Sequence, residues 1–317
     1  MKTIFMGTPD FAVPSLYALD KSGHEISLVV TRPDRTGGRG KKLVRPPVKT
    51  AAAGLGYDVI QPESIKTDEF KEHMARLNPD LFVVVAFGHI LPKNILSLPK
   101  KGSVNIHASL LPKYRGPAPI QWAIINGEKE TGVTAMLMDQ GLDTGDILFF
   151  DKVKIAPDDT SATLHDRLAV LGADLLIKTV NALDKTDKID KTGKTYLKPV
   201  PQDDSLACFA PLLKKSDGRI NWDMPAEAIE AFIRGMTPWP GAFTFYGNRR
   251  LKIFKAAPLL SDVDKAPGTV VKGFPGELRV ASGKGVLSIL EIQGASGKRL
   301  LIKDFLMGCE IPPGTLF

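Results

Sequence analysis

The 317 residues, 43% hydrophobic and 24% charged, suffice for one large domain or two ordinary ones and carry no compositional mark of disorder. Two cysteines, Cys208 and Cys309, exclude a disulfide framework, and no CxxC pair points to zinc; the longest apolar run (81–87) is too short to cross a bilayer, and the opening MKTIFMGTPDF breaks at Thr8 too early for a secretory signal, so a cytoplasmic chain is expected. The net charge of +7 is unevenly placed: residues 31–50 hold seven basic side chains against one acid, and residues 206–317 hold fifteen against ten, which points to a polyanionic partner.

In chain order, KTIFMG (2–7), EISLVVT (25–31), YDVI (57–60), LFVVVAF (81–87) and SVNIHA (103–108) read as strands. Their near-continuous apolar character suits strands buried on both faces, and the intervals leave room for crossover helices, so the spacing predicts a doubly wound, mostly parallel α/β sheet. GVTAMLM (132–138) and DILFFDKVKI (146–155) read as two further strands at an antiparallel edge. Leucines and valine at 164, 168, 171, 175, 176, 180 and 183, preceded by the capping run Asp-Asp-Thr-Ser, predict a long helix. The polar, proline-bearing stretch 187–205 reads as a linker between a domain at 1–186 and another at 206–317. PAEAIEAFIRG (225–235) reads as a short amphipathic helix stopped by Gly235, followed by short strands around a Gly247-Asn248 turn and further glycine turns. That texture predicts a small C-terminal β-barrel of the oligonucleotide-binding type.

Three polar features fall at the C-terminal ends of predicted strands, where open parallel sheets bind ligands: GTPDFA (7–12), AFGHILP (86–92), and Asn105 with His107 and the loop behind them. The fourth is the acidic, glycine-interrupted turn MDQGLDTGDI (138–147). GTPDFA lacks the GxGxxG spacing of a dinucleotide site, and TGGRGKK lacks the Ser or Thr that a phosphate loop needs after its lysine. Asp139, Asp143 and Asp146 do not fit a calcium loop, because Gly141 and Thr144 sit where a ligand and the sharp-turn glycine belong. A lone strand histidine is commonly a satisfied core residue, but residues two apart on a strand share a face, which groups Asn105 with His107. An amide donor, an imidazole and a carboxylate suit acyl transfer: the first two stabilise an oxyanion, and the carboxylate orients the imidazole and favours its charged form. GxSxG is absent, so the nucleophile is expected from a substrate.

NIHASLLPKYRG, with AFGHILP before it and GLDTGDI after it, resembles the folate-dependent formyltransferases. The resemblance implies a Rossmann-like catalytic domain and 10-formyltetrahydrofolate as the one-carbon donor, with no metal. It places the catalytic roles on Asn105, His107 and Asp143. The folate-contacting positions it implies are Phe87, Gly88, Ile90 and Leu91 in the first turn, Ser109, Leu110, Leu111 and Pro112 after the strand, and Asp139 and Gly141 in the acidic turn. MGTPDFAVPSL, TRPDRTGGRGKKL, GRINW (218–222), MTPWPGA (236–242) and the basic β-rich end are similar to the branch of that family that formylates initiator methionyl-tRNA. On that resemblance the acceptor end of the tRNA meets Arg35, Arg39, Lys41 and Lys42, with no obligate protein partner and no membrane. The match is looser over 196–213, where Cys208 and Phe209 replace a Thr-Tyr pair. Formyl transfer to a nucleotide-sugar amine, hydrolysis of the same folate, and a non-catalytic RNA-binding module remain alternatives at this point. The basic loop distinguishes the first from the leading reading, formate release without acceptor the second, and folate binding the third.

Overall fold

The computed structural model describes residues 1–37, 42–185, 197–259, 261, 263–294 and 297–317. In chain order the elements are β1 (Lys2–Gly7), α1 (Val13–Asp20), β2 (Glu25–Val30), β3 (Arg35–Gly37), β4 (Lys42–Val44), α2 (Pro47–Gly54), β5 (Val59–Ile60), α3 (Asp68–Arg76), β6 (Leu81–Val85), α4 (Lys93–Leu96), β7 (Ser103–His107), α5 (Pro119–Ile125), β8 (Glu130–Leu137), β9 (Ile147–Lys154) and α6 (Ser161–Asp184). They continue as α7 (Ala226–Met236), β10 (Ala242–Tyr246), β11 (Arg249–Leu259), β12 (Val270–Val271), β13 (Leu278–Ala281), β14 (Val286–Gln293), β15 (Leu300–Leu301) and α8 (Ile302–Leu306). The chain divides into two compact units. The first comprises 1–116, 131–153 and 165–209, and the second 117–130, 154–164 and 210–317.

The first unit carries a seven-stranded sheet in the order β5-β2-β1-β6-β7-β8-β9. β1 pairs in parallel with both β2 and β6, and β6 in parallel with β7. The doubly wound, mostly parallel sheet is therefore as the apolar runs predict. β6 is buried at all five positions, as a central strand covered on both faces must be. One face packs Ile4, Met6, Phe82 and Val84 against Phe70 and Met74 of α3. β8 reverses direction against β7, with His107 opposite Thr134 and Val104 opposite Leu137. α6 packs on the face of β7 that carries Ile106; a Cβ on Gly172 would stand 3.0 Å from the Ile106 Cγ2.

In the basic segment, β3 and β4 form a two-stranded antiparallel ribbon with Arg35 opposite Val44. Its base is fixed by Asp34, whose carboxylate accepts from Lys49 Nζ at 2.8 and 2.9 Å and from Gln61 Nε2 at 2.8 Å. Arg39 and Lys41 lie outside the described residues, as do 187–196 of the predicted linker. Residues 197–205 pack within the first unit.

The second unit is an antiparallel sheet in the order β10-β11-β14-β13-β12, with β15 on β14, consistent with the small barrel expected. Register shifts in the long strand β11, on either side of Lys255, supply the bends such a curled sheet needs. The two-residue hairpin at Gly247-Asn248 forms as the sequence predicts, with Tyr246 opposite Arg249. Gly235 does not stop its helix, which runs on to Met236. Its role is close packing: a Cβ there would meet Ile125 Cγ1 at 2.6 Å and the Gln121 carbonyl oxygen at 2.9 Å, so only glycine lets α7 approach α5.

Helix propensity alone favours Gly235→Ala by about 1 kcal/mol. The contact with α5 reverses that sign, and overpacking of this kind costs about 1–3 kcal/mol. Calorimetric melting of Gly235→Ala is expected to show a lowered transition; a raised one would mean that α5 and α7 part freely.

Candidate active site

Asn105 and His107 sit two apart on β7 and share the face opposite Ile106. Asn105 is half-buried and is paired through its backbone with Val84 of β6 and Met136 of β8. His107 is buried, and its Nε2 lies 2.9 Å from the Tyr114 carbonyl oxygen. A carbonyl can only accept, so Nε2 carries a proton and Nδ1 is left to face Asp143. Asp143 Oδ2 stands 3.7 Å from Nδ1, an ion-pair distance longer than a hydrogen bond. The same oxygen accepts the Gly116 backbone N–H at 2.8 Å. The structure thus brings His107 and Asp143 together, on a shared loop frame that supplies Tyr114 O and Gly116 N–H two residues apart.

The local backbone is unusual around this site. Ala86 (φ 48), Tyr114 (φ 61) and Asp143 (φ 55) are three of the four non-glycine residues with left-handed φ among the described residues. All three lie in the loops after β6, after β7 and between β8 and β9. Such conformations persist only where neighbours over-determine them, and they concentrate at functional sites.

The positions implied for folate contact divide into two groups. Phe87 and Leu91 are buried in the sheet core beside Phe82 and Val84, so they anchor the 86–92 turn from below. Ile90 is 73% exposed, and Leu142 in the acidic turn 48%. Gly88 has φ 79, and a Cβ there would also press on Arg32 at 3.3 Å. Ser109 is fully buried; its Oγ donates to Lys113 O at 2.6 Å, and its own carbonyl accepts Thr134 Oγ1 at 2.7 Å. Leu111 donates its N–H to the same hydroxyl at 3.2 Å, and Leu110 and Pro112 flank it, both partly buried. Asp139 caps its own turn, accepting from Gly141 N at 3.0 Å and Thr144 Oγ1 at 2.7 Å. Sequence reasoning missed Tyr114, Gly116 and Thr134 as site residues. The first two stand inside the quoted KYRG motif, but their contributions are backbone groups, and Thr134 is recognisable only once β8 is paired with β7.

His89 occupies the same turn, with its ring 5.1 Å from that of Phe87. Its Nε2 and the Arg32 Nε are buried without a hydrogen-bond partner among the described residues. Burial depresses the His89 pKa below the ordinary histidine value, and the charges of Arg32 and Arg35 add to the effect. Among the described residues, no group of three or more His, Cys, Asp or Glu side chains could hold a metal ion, and no helix is long and apolar enough to cross a membrane.

A strand reversed within a doubly wound sheet, with an imidazole and a carboxylate brought together beside it and an amide on the same face of the neighbouring strand, suits group transfer of the acyl type. Residues 1–180 match the family described as formyl transferase, and residues 212–310 match its C-terminal domain. The chain belongs to the formyl transferase family, in its methionyl-tRNA formyltransferase branch. The methionyl-tRNA formyltransferase of Caldanaerobacter subterraneus subsp. tengcongensis is 49% identical over 317 residues, which cover 100% of this chain and 99% of that one. Among solved structures, the N-formyltransferase from Helicobacter canadensis, in complex with folinic acid and dTDP-3-aminofucose, superposes with a TM-score of 0.65 at 19% identity, over 95% of this chain and 100% of that one. HypX from Aquifex aeolicus, in complex with tetrahydrofolic acid, superposes with a TM-score of 0.61 at 17% identity over 96% of this chain; the match spans 47% of that longer protein. These two likenesses establish the shared fold.

The depressed His89 pKa has a thermodynamic sign. Just below the ordinary value of about 6.5 the unfolded chain binds a proton at His89 that the folded chain does not. This contribution to stability is therefore present above pH 6.5 and declines as the pH falls towards the folded-state pKa. In an NMR titration the His89 ring is expected to protonate below the ordinary value, and Arg35→Gln is expected to raise its midpoint. A midpoint at or above 6.5 in the unsubstituted protein would refute the environment described for this turn.

Proposed function

We propose that this chain transfers the formyl group of 10-formyltetrahydrofolate to the amine of initiator methionyl-tRNA, giving N-formylmethionyl-tRNA for translation initiation. The observation that carries the reading is the His107–Asp143 pair, 3.7 Å apart, on the strand whose same face bears Asn105. In this reading the uncharged methionyl amine attacks the formyl carbon. Negative charge develops on the formyl oxygen, where the Asn105 amide and His107 stabilise it. His107 relays protons through Nδ1, since Nε2 is committed to Tyr114. The C–N10 bond then breaks, the amine has lost one proton, and N10 has gained one. Asp143 holds the imidazole in register for that relay.

The folate lies against the 86–92 and 139–145 turns, with Ile90 and Leu142 supplying apolar contact. Residues 1–186 form the catalytic part and 206–317 the principal tRNA-binding part, and Arg35, Arg39, Lys41 and Lys42 of the basic segment meet the acceptor end. The second unit offers cation–aromatic pairs suited to nucleic acid: Arg250 stands 3.5 Å from the centre of the Phe243 ring, and Arg299 4.8 Å from that of Phe254. A chain with this role works in the cytoplasm, where initiator tRNA is charged.

Formyl transfer from 10-formyltetrahydrofolate to charged initiator tRNA, with free methionine, a nucleotide-sugar amine and no acceptor as comparisons, tests the reading. Asn105→Ala is expected to lose about 10²–10³ in turnover, and His107→Ala at least as much. Asp143→Asn is expected to lower turnover and move the pH–rate profile, and folate and tRNA affinity should survive all three changes. Near-normal turnover in His107→Ala would refute the mechanism.

The basic segment makes a separate prediction. Replacing Arg39 and Lys41 by Ala should flatten the dependence of tRNA affinity on salt by about one to two units of log–log slope, while folate binding stays unchanged. An unchanged slope would return the basic segment to an ordinary solvated charge run.

A further inference from the structure

We propose that Gln202, itself oriented by Arg115, is a positioning residue that sets Asp143 against His107; the proposal rests on the reading of Asp143 as part of the catalytic trio. The turn that carries Asp143 starts and ends at the wrong end of β7. Met138 N–H donates to Ser103 O at 2.8 Å, and Leu137 N–H donates to Asp146 O at 2.9 Å, so both feet of the excursion 139–145 stand beside the start of that strand. His107 is the last residue of β7, four positions and roughly 13 Å further along. Something must hold the tip of the excursion at that distance.

Gln202 does so from outside the turn. Its Nε2 donates to Asp143 O at 2.9 Å and to Gly145 O at 2.7 Å, gripping the backbone of the catalytic residue and of the residue two further on. Its Oε1 accepts from Arg115 Nε at 3.1 Å and from Nη2 at 2.8 Å. Arginine only donates and the two carbonyls only accept, so the amide has one allowed orientation and all its groups are used. Arg115 is 4% exposed and also bonds Asp204 at 2.7 Å, which fixes the guanidinium from a second side. Arg115 directly precedes Gly116, whose N–H holds the Asp143 carboxylate. Backbone and side chain of Asp143 are thus clamped by one connected set of groups. The segment bearing Gln202 is pinned at both ends: Val200 exchanges two hydrogen bonds with Ile147 at 2.8 and 2.9 Å, and Cys208 O accepts from Arg115 N at 2.9 Å.

Gln202→Glu tests this directly. It keeps acceptors for Arg115 but sets a carboxylate oxygen against two carbonyl oxygens, pushing the turn away. Turnover is expected to fall about 10–100-fold, the scale of a misplacement of about 1 Å. The KM values for folate and for charged tRNA should stay within about 2-fold, and the pH–rate profile should move, because the Asp143–His107 separation changes. Gln202→Ala should show the same split more weakly in its pH profile, since it removes the grip without adding repulsion. The wild-type chain and Asp143→Asn are measured alongside. An inactive wild type, or a fully active Asp143→Asn, would sink the reading of the site itself. Beside an impaired Asp143→Asn, Gln202→Glu with wild-type turnover and pH profile would overturn the positioning role alone. Loss of turnover that only tracks a lowered melting temperature in both Gln202 variants would also overturn it, making Gln202 a staple of the fold.

Discussion

The reversed direction of β8 governs how this site has to be built. A parallel strand there would deliver its following loop to the edge where β7 ends, within easy reach of His107. The antiparallel register places Leu137 opposite Val104 instead, so the loop leaves from the far end and has to return. The return depends on close backbone approaches. A side chain at Gly141 would collide with Thr144, and one at Gly145 with the Leu137 carbonyl, so both positions exclude anything larger than glycine. Asp143 takes up left-handed φ at the tip. This conformation is costly for a residue with a Cβ and is offset by hydrogen bonds to its carboxylate and its carbonyl.

The loop after β7 completes the arrangement by acting as a template. Tyr114 O and Gly116 N–H project from nearly the same point of the chain, one to the imidazole and one to the carboxylate. Backbone groups do this better than side chains, because they have no rotamers to lose. Their precision then depends on the rigidity of the loop. Thr134 supplies much of it by donating to Ser109 O while accepting from Leu111 N, so the strand that opposes His107 also braces the loop above it. One residue pair across β7 and β8 therefore couples the histidine's strand to the histidine's partner. In the proposed mechanism the committed Nε2 leaves a single nitrogen for proton traffic, and the carboxylate stands beside that nitrogen. An imidazole with both nitrogens free could bind equally well but would offer no such direction to the transfer.

Much of this was legible beforehand, and the parts that were not share a cause. β1, β2, β6 and β7 announce themselves as apolar runs, because a strand covered on both faces cannot be anything else. β5 shrinks to Val59–Ile60, since an edge strand needs little more than its pairing with Val29 and Val30. The ribbon β3–β4 hides in a glycine-rich basic stretch with no alternation to read. Gly235 looks like a helix stop because glycine usually ends helices, whereas the backbone of α5 is what excludes a side chain there. Asn105 and His107 stand out as polar residues on one face of an apolar strand, and Asp143 stands out through the family resemblance. Gln202 has no such signal. The groups it holds in the turn are two carbonyls 59 and 57 residues away, and carbonyl groups are present at every position of every sequence.

The stretch 197–209 also shows why polar composition is a poor guide to looseness. Val200, Leu206 and Phe209 are more than half exposed, and the run holds two aspartates and two prolines, all of which favours reading it as a connector. Yet its inward-facing groups are spent on satisfying buried donors and acceptors, including a nearly inaccessible guanidinium that would be very costly to leave unpaired. Apart from buried Leu197, order here comes from hydrogen bonding more than from apolar burial, so it carries little hydropathy signature. This kind of order suits a reacting group. Apolar packing fixes volumes and tolerates small slides, whereas a side chain bonded at every polar atom fixes directions. The contacts that hold His107 Nε2, Asp143 Oδ2 and the Asp143 carbonyl are hydrogen bonds of this directional kind and lie within the first unit. In the proposed mechanism, the short list of groups that hold these two side chains in line is what prepares them to stabilise the transition state.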